Sequence, residues 1–172
     1  MRIRHGVDIE AVSEVRRLLD VSARAKRRVF TPREVADCER AGDPDRHFAG
    51  RFCTKEALFK ALGRGWQGMG WTEVEVRADS GGAPRLVATG RMKTMLEALG
   101  VRSVGLSISH TGDLAMASVV LLCAPEHRRG PRRPPPSLPQ DSMAAAKPPL
   151  DPGHSDMPTE RSGRARALPG RR

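Results

Sequence analysis

Tyrosine is absent from this chain of 172 residues, and its aromatic residues are limited to four Phe and two Trp. No phenol can therefore serve in a site, and no aromatic cluster offers a platform on which nucleic-acid bases could stack. A nucleic-acid-binding protein is the alternative that the formal charge of +10 favours. The lack of stacking residues and of a recognised reading helix argues against that class.

Cysteine is also scarce, with Cys38, Cys53 and Cys123 widely spaced. Three scattered cysteines make neither a disulfide framework nor a zinc site, so we expect buried or half-buried free thiols in a reducing compartment. No apolar run approaches the length of a membrane span, and residues 1–5 lack the apolar stretch of a secretory signal. These absences predict a cytoplasmic protein without membrane contact.

The composition changes at Pro125. Residues 125–172 contain 11 of the 14 prolines, with ten Lys and Arg against five Asp and Glu. Such a segment has too few large apolar side chains to offset the entropy lost on folding, so we predict a disordered tail. We expect residues 1–124 to form one domain with its own core, which carries the other half of the net charge.

Within residues 1–124, helix and strand patterns follow one another. We predict strands at 3–9, 71–77, 84–89, 104–109 and 114–123, and helices at 11–20, 31–40, 44–62 and 91–99. A capping box at 31–34 begins the second helix, a glycine-dense loop occupies 63–70, and 79–82 is a hairpin turn. The expected fold class is α+β, with helices packed against a mainly antiparallel sheet.

The helix at 44–62 has a charged residue in an unexpected position. Asp43 and Gly63 are suited to its two ends. Its apolar stripe includes Lys55, between Phe48, Phe52, Phe59 and Leu62. A cation on a buried face costs several kcal/mol unless an anion meets it. Either Lys55 extends to solvent while Glu56 and Lys60 form an exposed pair, or this helix lines a site.

Other residues are ambiguous when each is considered alone. Asp8 lies in an apolar strand just before a helix, so it could accept hydrogen bonds from the helix start or bind a hard cation. His110 ends a strand among Ser107, Ser109 and Thr111, and a lone turn histidine usually has no function. The loop at 63–70 lacks the Walker and dinucleotide spacings, so it is weak evidence for phosphate binding.

Taken together, three stretches resemble the motifs of one enzyme family. Residues 6–10, Gly-Val-Asp-Ile-Glu, resemble the first motif of the 4′-phosphopantetheinyl transferases. Residues 48–57 look like the second, F-x-x-R-F-x-x-K-E-A, and Lys60-Ala61 follows it. Residues 107–111, Ser-Ile-Ser-His-Thr, are similar to the S-I-S-H-T stretch of the short, stand-alone branch. Order and spacing agree over about residues 1–124, so the chain is identified as a member of the holo-acyl-carrier-protein synthase branch.

The resemblance implies a reaction. Coenzyme A would donate its phosphopantetheine arm to a serine of an apo acyl carrier protein of fatty acid or polyketide synthesis, with 3′,5′-ADP as the second product. Asp8 and Glu56 would bind Mg²⁺, which neutralises charge on phosphate oxygens. Lys60 would stabilise or protonate the departing phosphate, and Lys55 would also contact phosphate oxygens. The base for the serine is either Glu56 or a metal-bound water that it orients.

The resemblance also implies further contacts with both substrates. His110 and Thr111 match positions at the adenosine 3′-phosphate end of the coenzyme, and Gly65 and Pro84 match neighbouring loops. A group of arginines near the first helix would either dock an acidic carrier protein or form a solvated basic face. This group is Arg16, Arg17, Arg24, Arg27 and Arg28.

The short branch implies a homotrimer with active sites between neighbouring subunits. Two features depart from its pattern. Trp66 and Trp71 bracket a loop where smaller residues are expected near the coenzyme, and the tail at 125–172 is an addition to the usual short chain. A family member that assembles without catalysing the reaction is the remaining alternative.

Overall fold

The structure is a computed structural model, and it describes residues 1–63 and 70–125. It has the α+β architecture that the sequence predicts. The strands are β1 (Arg2–Ala11), β2 (Val74–Ala78), β3 (Pro84–Ala88), β4 (Val101–Thr111) and β5 (Leu114–Cys123). The helices are α1 (Val12–Asp20), α2 (Ala23–Val29), α3 (Pro32–Glu39), α4 (Pro44–Leu62) and α5 (Gly90–Ala98), and a 3₁₀ turn spans Trp71–Glu73.

Some elements differ from the predicted ones. Helix α2 is not predicted, because seven residues are too few to show a helical period. It forms because the Ser22 hydroxyl accepts a hydrogen bond from the Ala25 amide at 3.1 Å, and basic residues fill its last turn, where they complement the helix dipole. Strands β1 and β4 are longer than predicted because their pairing with β5 continues past the alternating residues. Most of the glycine-dense loop and the predicted tail beyond Pro125 lie outside the described residues.

All the described strand pairs are antiparallel, but they form two sheets. The larger has the order β1-β5-β4, so β5 is its central strand, and the smaller is the β2-β3 hairpin. In the larger sheet Asp8 is opposite Ala117, which is opposite Ile108 on the other side. Directly opposite residues share one face of a sheet. Asp8 therefore lies on the face that includes Ala117 and Ile108, and this face packs against α4.

Helix α4 is the centre of the core. Its predicted ends are confirmed, because the Asp43 carboxylate accepts from the Arg46 amide at 3.2 Å and Gly63 has a φ of 66°. The helix contacts all three strands of the larger sheet and also α1 and α3. Its buried side chains consequently extend well beyond the predicted stripe, and Lys60 is exposed.

Small residues let α4 approach the sheet closely. A Cβ atom on Gly6 would lie 2.0 Å from the Ala57 carbonyl oxygen and 2.5 Å from the Ala61 nitrogen. A Cβ atom on Gly50 would lie 2.8 Å from Cγ2 of Ile108. The strand that carries Asp8 and the helix that carries Lys60 are thus in backbone contact.

The opposite face of the larger sheet is exposed and carries a group of apolar side chains. Five of these are between 40% and 58% exposed: Ile3, Val7, Ile9, Leu114 and Met116. His5 lies among them and its Nε2 is 3.0 Å from the Ser118 hydroxyl. The described helices do not cover this face.

The three cysteines are buried free thiols, as predicted. The pKa of the Cys38 thiol is raised to about 12, and burial is the largest of the causes. None of the helices in the described part of the chain has the length and apolar character needed to cross a membrane.

Replacing Gly6 by Ala should destabilise the domain by about 3 kcal/mol or more, because the added methyl meets backbone atoms of α4 that cannot move independently. Urea unfolding would measure this loss. Gly42→Ala is the matched control, since a Cβ there meets nothing within 4 Å, and its effect should stay within about 0.5 kcal/mol. Equal unfolding midpoints for the two variants would contradict the proposed close approach.

Candidate active site

Asp8 and Lys60 form an ion pair at the contact between β1 and α4. The Asp8 carboxylate is 5% exposed, whereas the Lys60 side chain is 52% exposed. The Lys60 Nζ donates to Asp8 Oδ1 at 2.6 Å. Both residues were expected at the site, and the fold brings them together across 52 residues of sequence.

The second oxygen of Asp8 is unusual. Asp8 Oδ2 is buried and accepts no hydrogen bond from the described part of the chain. The nearby Cys53 thiol donates instead to the Ala115 carbonyl oxygen at 3.4 Å. Burial, and next the charge of Asp8 and a weak thiol contact with its carboxylate, raise the pKa of Cys53, so the thiol stays protonated. A buried carboxylate oxygen without a partner costs free energy unless a ligand meets it, so this atom marks a candidate cation position.

Two further carboxylates act on Lys60. Its hydrogen bond to Asp8 is the main cause that raises the pKa of Lys60, and the charges of Asp8, Glu56 and Glu10 raise it further. Glu56 lies one turn before Lys60 on α4 and is half-buried. The sequence-predicted pair Asp8 and Glu56 is thus found around the same ammonium group. Glu10 was not predicted as a site residue.

His110 and Thr111 lie at the end of β4, where they are exposed. His110 is opposite Ala115, and Ala115 is opposite Glu10, so this row of the sheet joins the histidine to the strand that carries Asp8. The charge of His110 is one of the causes that lower the pKa of His47 on α4, after burial and Arg51. His110 therefore faces the first half of α4.

Arg51 adds a second cation at that end of the site. Its Nη1 donates to the His47 carbonyl oxygen at 3.3 Å and lies 3.5 Å from His47 Nδ1. Its Nε is buried and has no hydrogen-bond partner among the described residues. A guanidinium N–H without an acceptor suits an anion. Arg51 was part of the matched motif but was not singled out, and its spacing of four residues from His47 was the available signal.

The structure contradicts the predicted role of Lys55. Its ammonium is fully buried and donates to Glu34 Oε2 at 2.7 Å, to the Val29 carbonyl oxygen at 2.7 Å and to the Trp71 carbonyl oxygen at 3.0 Å. These three acceptors use all three N–H donors of an ammonium group, so none remains for a coenzyme phosphate. The sequence argument that an anion must meet this cation is correct, but the anion is Glu34 of this chain.

Glu34 was predicted only as a helix-capping residue. It does cap α3, because its Oε2 accepts from the Thr31 amide at 2.9 Å. Its Oε1 also accepts from the Val76 amide at 2.9 Å. Burial lowers the pKa of Lys55, and Glu34 is the chief opposing influence. The fully buried pair therefore joins α3, α4 and β2 rather than lining a pocket.

Two of the remaining predicted positions, Pro84 and Trp71, lie within the described residues, and two do not. Pro84 begins β3 opposite Ala78 and is half-buried. Trp71 stacks on Phe52, with ring centroids 5.2 Å apart and 19° between the planes, so it packs on α4. Gly65 and Trp66 lie outside the described residues.

The predicted basic surface is present on α1 and α2. Arg16 and Arg17 are on α1, and all five arginines of the group are exposed. Arg16 lies 3.6 Å from Asp45 at the start of α4. This arrangement presents positive charge to solvent on two consecutive helices.

The candidate metal ligands are Asp8 and Glu56, two of the carboxylates around Lys60. Across residues 1–63 and 70–125, no group of three or more His, Cys, Asp or Glu side chains is arranged to hold a metal ion. Mg²⁺ commonly takes one or two carboxylates from a protein and completes its shell with water and substrate phosphates. Asp8, with its unpartnered Oδ2, and Glu56 fit that requirement.

Comparison with known proteins identifies the family. Residues 4–116 match the family model described as the 4′-phosphopantetheinyl transferase superfamily. A holo-[acyl-carrier-protein] synthase of Geotalea daltonii is 38% identical over 118 residues, which cover 67% of this chain and 94% of that protein. Among solved structures, the holo-[acyl-carrier-protein] synthase of Neisseria meningitidis is 31% identical with a TM-score of 0.64. The match covers 69% of this chain and 97% of that one.

A structure described as a Chronobacterium ammoniagenes ACPS–CoA complex is also similar. It is 27% identical with a TM-score of 0.65, and the match covers 73% of this chain and all of that one. That protein therefore shares the fold described above and is a coenzyme A complex by its description.

Replacing Lys55 by Met should lower the free energy of unfolding by about 3–5 kcal/mol, because Glu34 would keep a buried charge without its cation. Denaturant unfolding followed by circular dichroism would measure the change. Lys93→Met is the matched control, since Lys93 and Glu97 are both 65% exposed and 4.0 Å apart. Its effect should stay within about 0.5 kcal/mol. A cost below about 1 kcal/mol at Lys55 would refute the structural role assigned to the pair.

Proposed function

The chain belongs to the 4′-phosphopantetheinyl transferase superfamily and, within it, to the holo-[acyl-carrier-protein] synthases, and from this membership we propose the reaction that it catalyses. It transfers the 4′-phosphopantetheine arm of coenzyme A to a serine hydroxyl of an apo acyl carrier protein. The serine oxygen forms a bond to the phosphorus of the arm, the bond to the other phosphate breaks, and 3′,5′-ADP leaves. The observation that carries this proposal is the buried Asp8, which is paired with Lys60 through one oxygen and has the other oxygen unpartnered.

Asp8 and Glu56 are the proposed ligands of Mg²⁺. The buried Oδ2 of Asp8 supports this assignment, as do the charges of both carboxylates beside Lys60. A bound Mg²⁺ would neutralise charge on the phosphate oxygens of the coenzyme. Glu56, or a water that it orients, accepts the proton of the carrier serine.

Lys60 stabilises the leaving phosphate. Its hydrogen bond to Asp8 uses one of its three N–H donors, and its side chain is half-exposed, so the ammonium can also meet a phosphate from the solvent side. Like an ordinary lysine the group is charged at neutral pH, and its hydrogen bond to Asp8 raises the pKa of Lys60 further. A charged ammonium offsets the negative charge that develops on the departing group and can donate a proton to it.

The other end of the coenzyme binds near the first half of α4. We propose that His110 and Thr111 contact the adenosine 3′-phosphate, with Arg51 as an additional anion partner. The unpartnered, buried Nε of Arg51 supports this extension, as does the position of His110 beside His47. Gly65 and Pro84 remain proposed contacts in the adjoining loops.

The carrier protein docks on the exposed arginines of α1 and α2. Carrier proteins are acidic, so opposite charge would speed the encounter and set the orientation of the bound complex. The substrate serves fatty acid or polyketide synthesis, and the site of action is the cytoplasm. Residues 1–124 form the transferase domain, and residues 125–172 are a tail outside it.

The assembled enzyme is proposed to be a homotrimer with active sites between subunits. The exposed apolar face of the larger sheet supports this, because an uncovered patch of large apolar side chains is typical of an interface. Native mass spectrometry of the transfer mixture reads the oligomeric state directly, and a monomer at micromolar concentration would contradict the trimer.

Incubation with Mg²⁺, coenzyme A and an apo acyl carrier protein should add one phosphopantetheine group to the carrier. Intact-mass spectrometry would detect the added mass, and parallel reactions with fatty acid and polyketide carriers would identify the preferred class. A carrier whose acceptor serine is replaced by Ala is the control and should gain nothing. If no carrier of either class gains mass from folded, assembled enzyme, the proposed reaction is wrong.

Asp8→Ala and Glu56→Ala should each lower turnover by at least about 100-fold, because each removes a proposed metal ligand beside the reacting phosphates. The same mass assay would measure the rates. Glu97→Ala removes a carboxylate from the exposed surface of α5 and should retain turnover. Turnover within twofold of the unsubstituted enzyme in either site variant would exclude that residue as a ligand.

A further inference from the structure

Helix α1 begins without a cap of its own. Ala11 occupies the position before it and offers no side-chain acceptor. The first N–H groups of a helix have no partner within the helix and need acceptors from elsewhere. Here they come from Asp113, which lies 100 residues later in the sequence, in the turn between β4 and β5.

Asp113 contacts the start of α1 through three of its atoms. The Val12 amide donates to the Asp113 carbonyl oxygen at 2.7 Å, and the Ser13 amide donates to Oδ1 at 3.0 Å. The Ser13 hydroxyl donates to Oδ2 at 2.6 Å. One turn residue thus replaces the local side chain that normally caps a helix.

The position of this cap links the two substrate surfaces proposed above. His110 and Thr111 are the last residues of β4, just before the turn that contains Asp113, and belong to the proposed coenzyme site. Arg16 and Arg17 lie one turn into α1, on the proposed carrier-docking surface. A shift of the helix start would move these arginines relative to the coenzyme, whereas the pairing of β4 with β5 would still hold His110 and Thr111.

Asp113 is charged under ordinary conditions. The hydrogen bonds from Ser13 are the largest cause that lowers the pKa of its carboxyl, and the charges of Arg16 and Arg17 act in the same direction. The cap therefore keeps its full set of acceptors at neutral pH.

We propose that Asp113 is a positioning residue for the carrier protein, because it caps α1 from the β4–β5 turn and so fixes Arg16 and Arg17 relative to the coenzyme. This inference rests on the proposed transferase function. The expected change in carrier binding when Asp113 is removed is opposite in sign to that of a simple charge effect. If Asp113 acted only through its negative charge, its removal would leave a more positive surface and strengthen the binding of an acidic carrier.

Steady-state kinetics of three variants separates these two roles. Asp113→Ala should raise the KM for the carrier about three- to tenfold and leave the KM for coenzyme A within twofold. Asp113→Asn should restore the carrier KM to near the original value, because Asn caps helices about as well as Asp. Asp45→Ala removes an equal charge beside Arg16 but takes no acceptor from α1, so its carrier KM should not rise.

Amide hydrogen exchange provides a readout that does not depend on turnover. Exchange at Ser13, whose amide loses its side-chain acceptor, should be faster in Asp113→Ala than in the original protein, Asp113→Asn or Asp45→Ala, whereas Val12 keeps its backbone acceptor. The proposal is overturned if the carrier KM is unchanged or falls in Asp113→Ala, or if both KM values rise together. Absence of transfer by the original protein would instead overturn the proposed function and the kinetic role with it, while exchange would still report whether the cap exists.

Discussion

The buried ion pair between Lys55 and Glu34 is the interaction on which the arrangement of the helical layer depends. A buried ammonium must find acceptors for all its N–H groups. Here they come from the end of α2, from α3 and from the 3₁₀ turn at Trp71–Glu73. Glu34 extends the same network to β2 through Val76. Several segments distant in sequence are therefore positioned by one charge on α4, the ammonium of Lys55. Lys55 is also the residue next to Glu56.

The sequence predicted best what depends on neighbouring residues. The caps of α4 at Asp43 and Gly63 and the capping box at Thr31 and Glu34 were all predictable, because each is a short pattern with a local physical cause. The motif match likewise brought Asp8 and Glu56 into one hypothesis. The partner of Lys55 was not predictable, since no local pattern shows that a capping glutamate also faces a helix 21 residues later.

Other misses also reflect contacts between distant segments. The placement of Glu10 and His110 in one row of the sheet follows from the register of three strands, which a single strand pattern cannot give. The cap of α1 by Asp113 depends on the turn between β4 and β5 reaching the end of β1. Within the candidate site, α4 places Arg51 and Lys60 about 13 Å apart along its axis, at 1.5 Å per residue. At about 100° per residue, nine residues also place the two side chains on opposite sides of the helix.

The central place of β5 in the larger sheet has a consequence for how the chain folds. Strand β1 pairs with β5 alone, and Arg2 is opposite Cys123, so the first strand has no partner until nearly all of the domain has been synthesised. Closing so long a loop slows folding. Until β5 arrives, both edges of β1 are unpaired, which favours association with other chains. A chain that stops before Leu114 therefore lacks the central strand of the larger sheet, and neither β1 nor β4 has its partner.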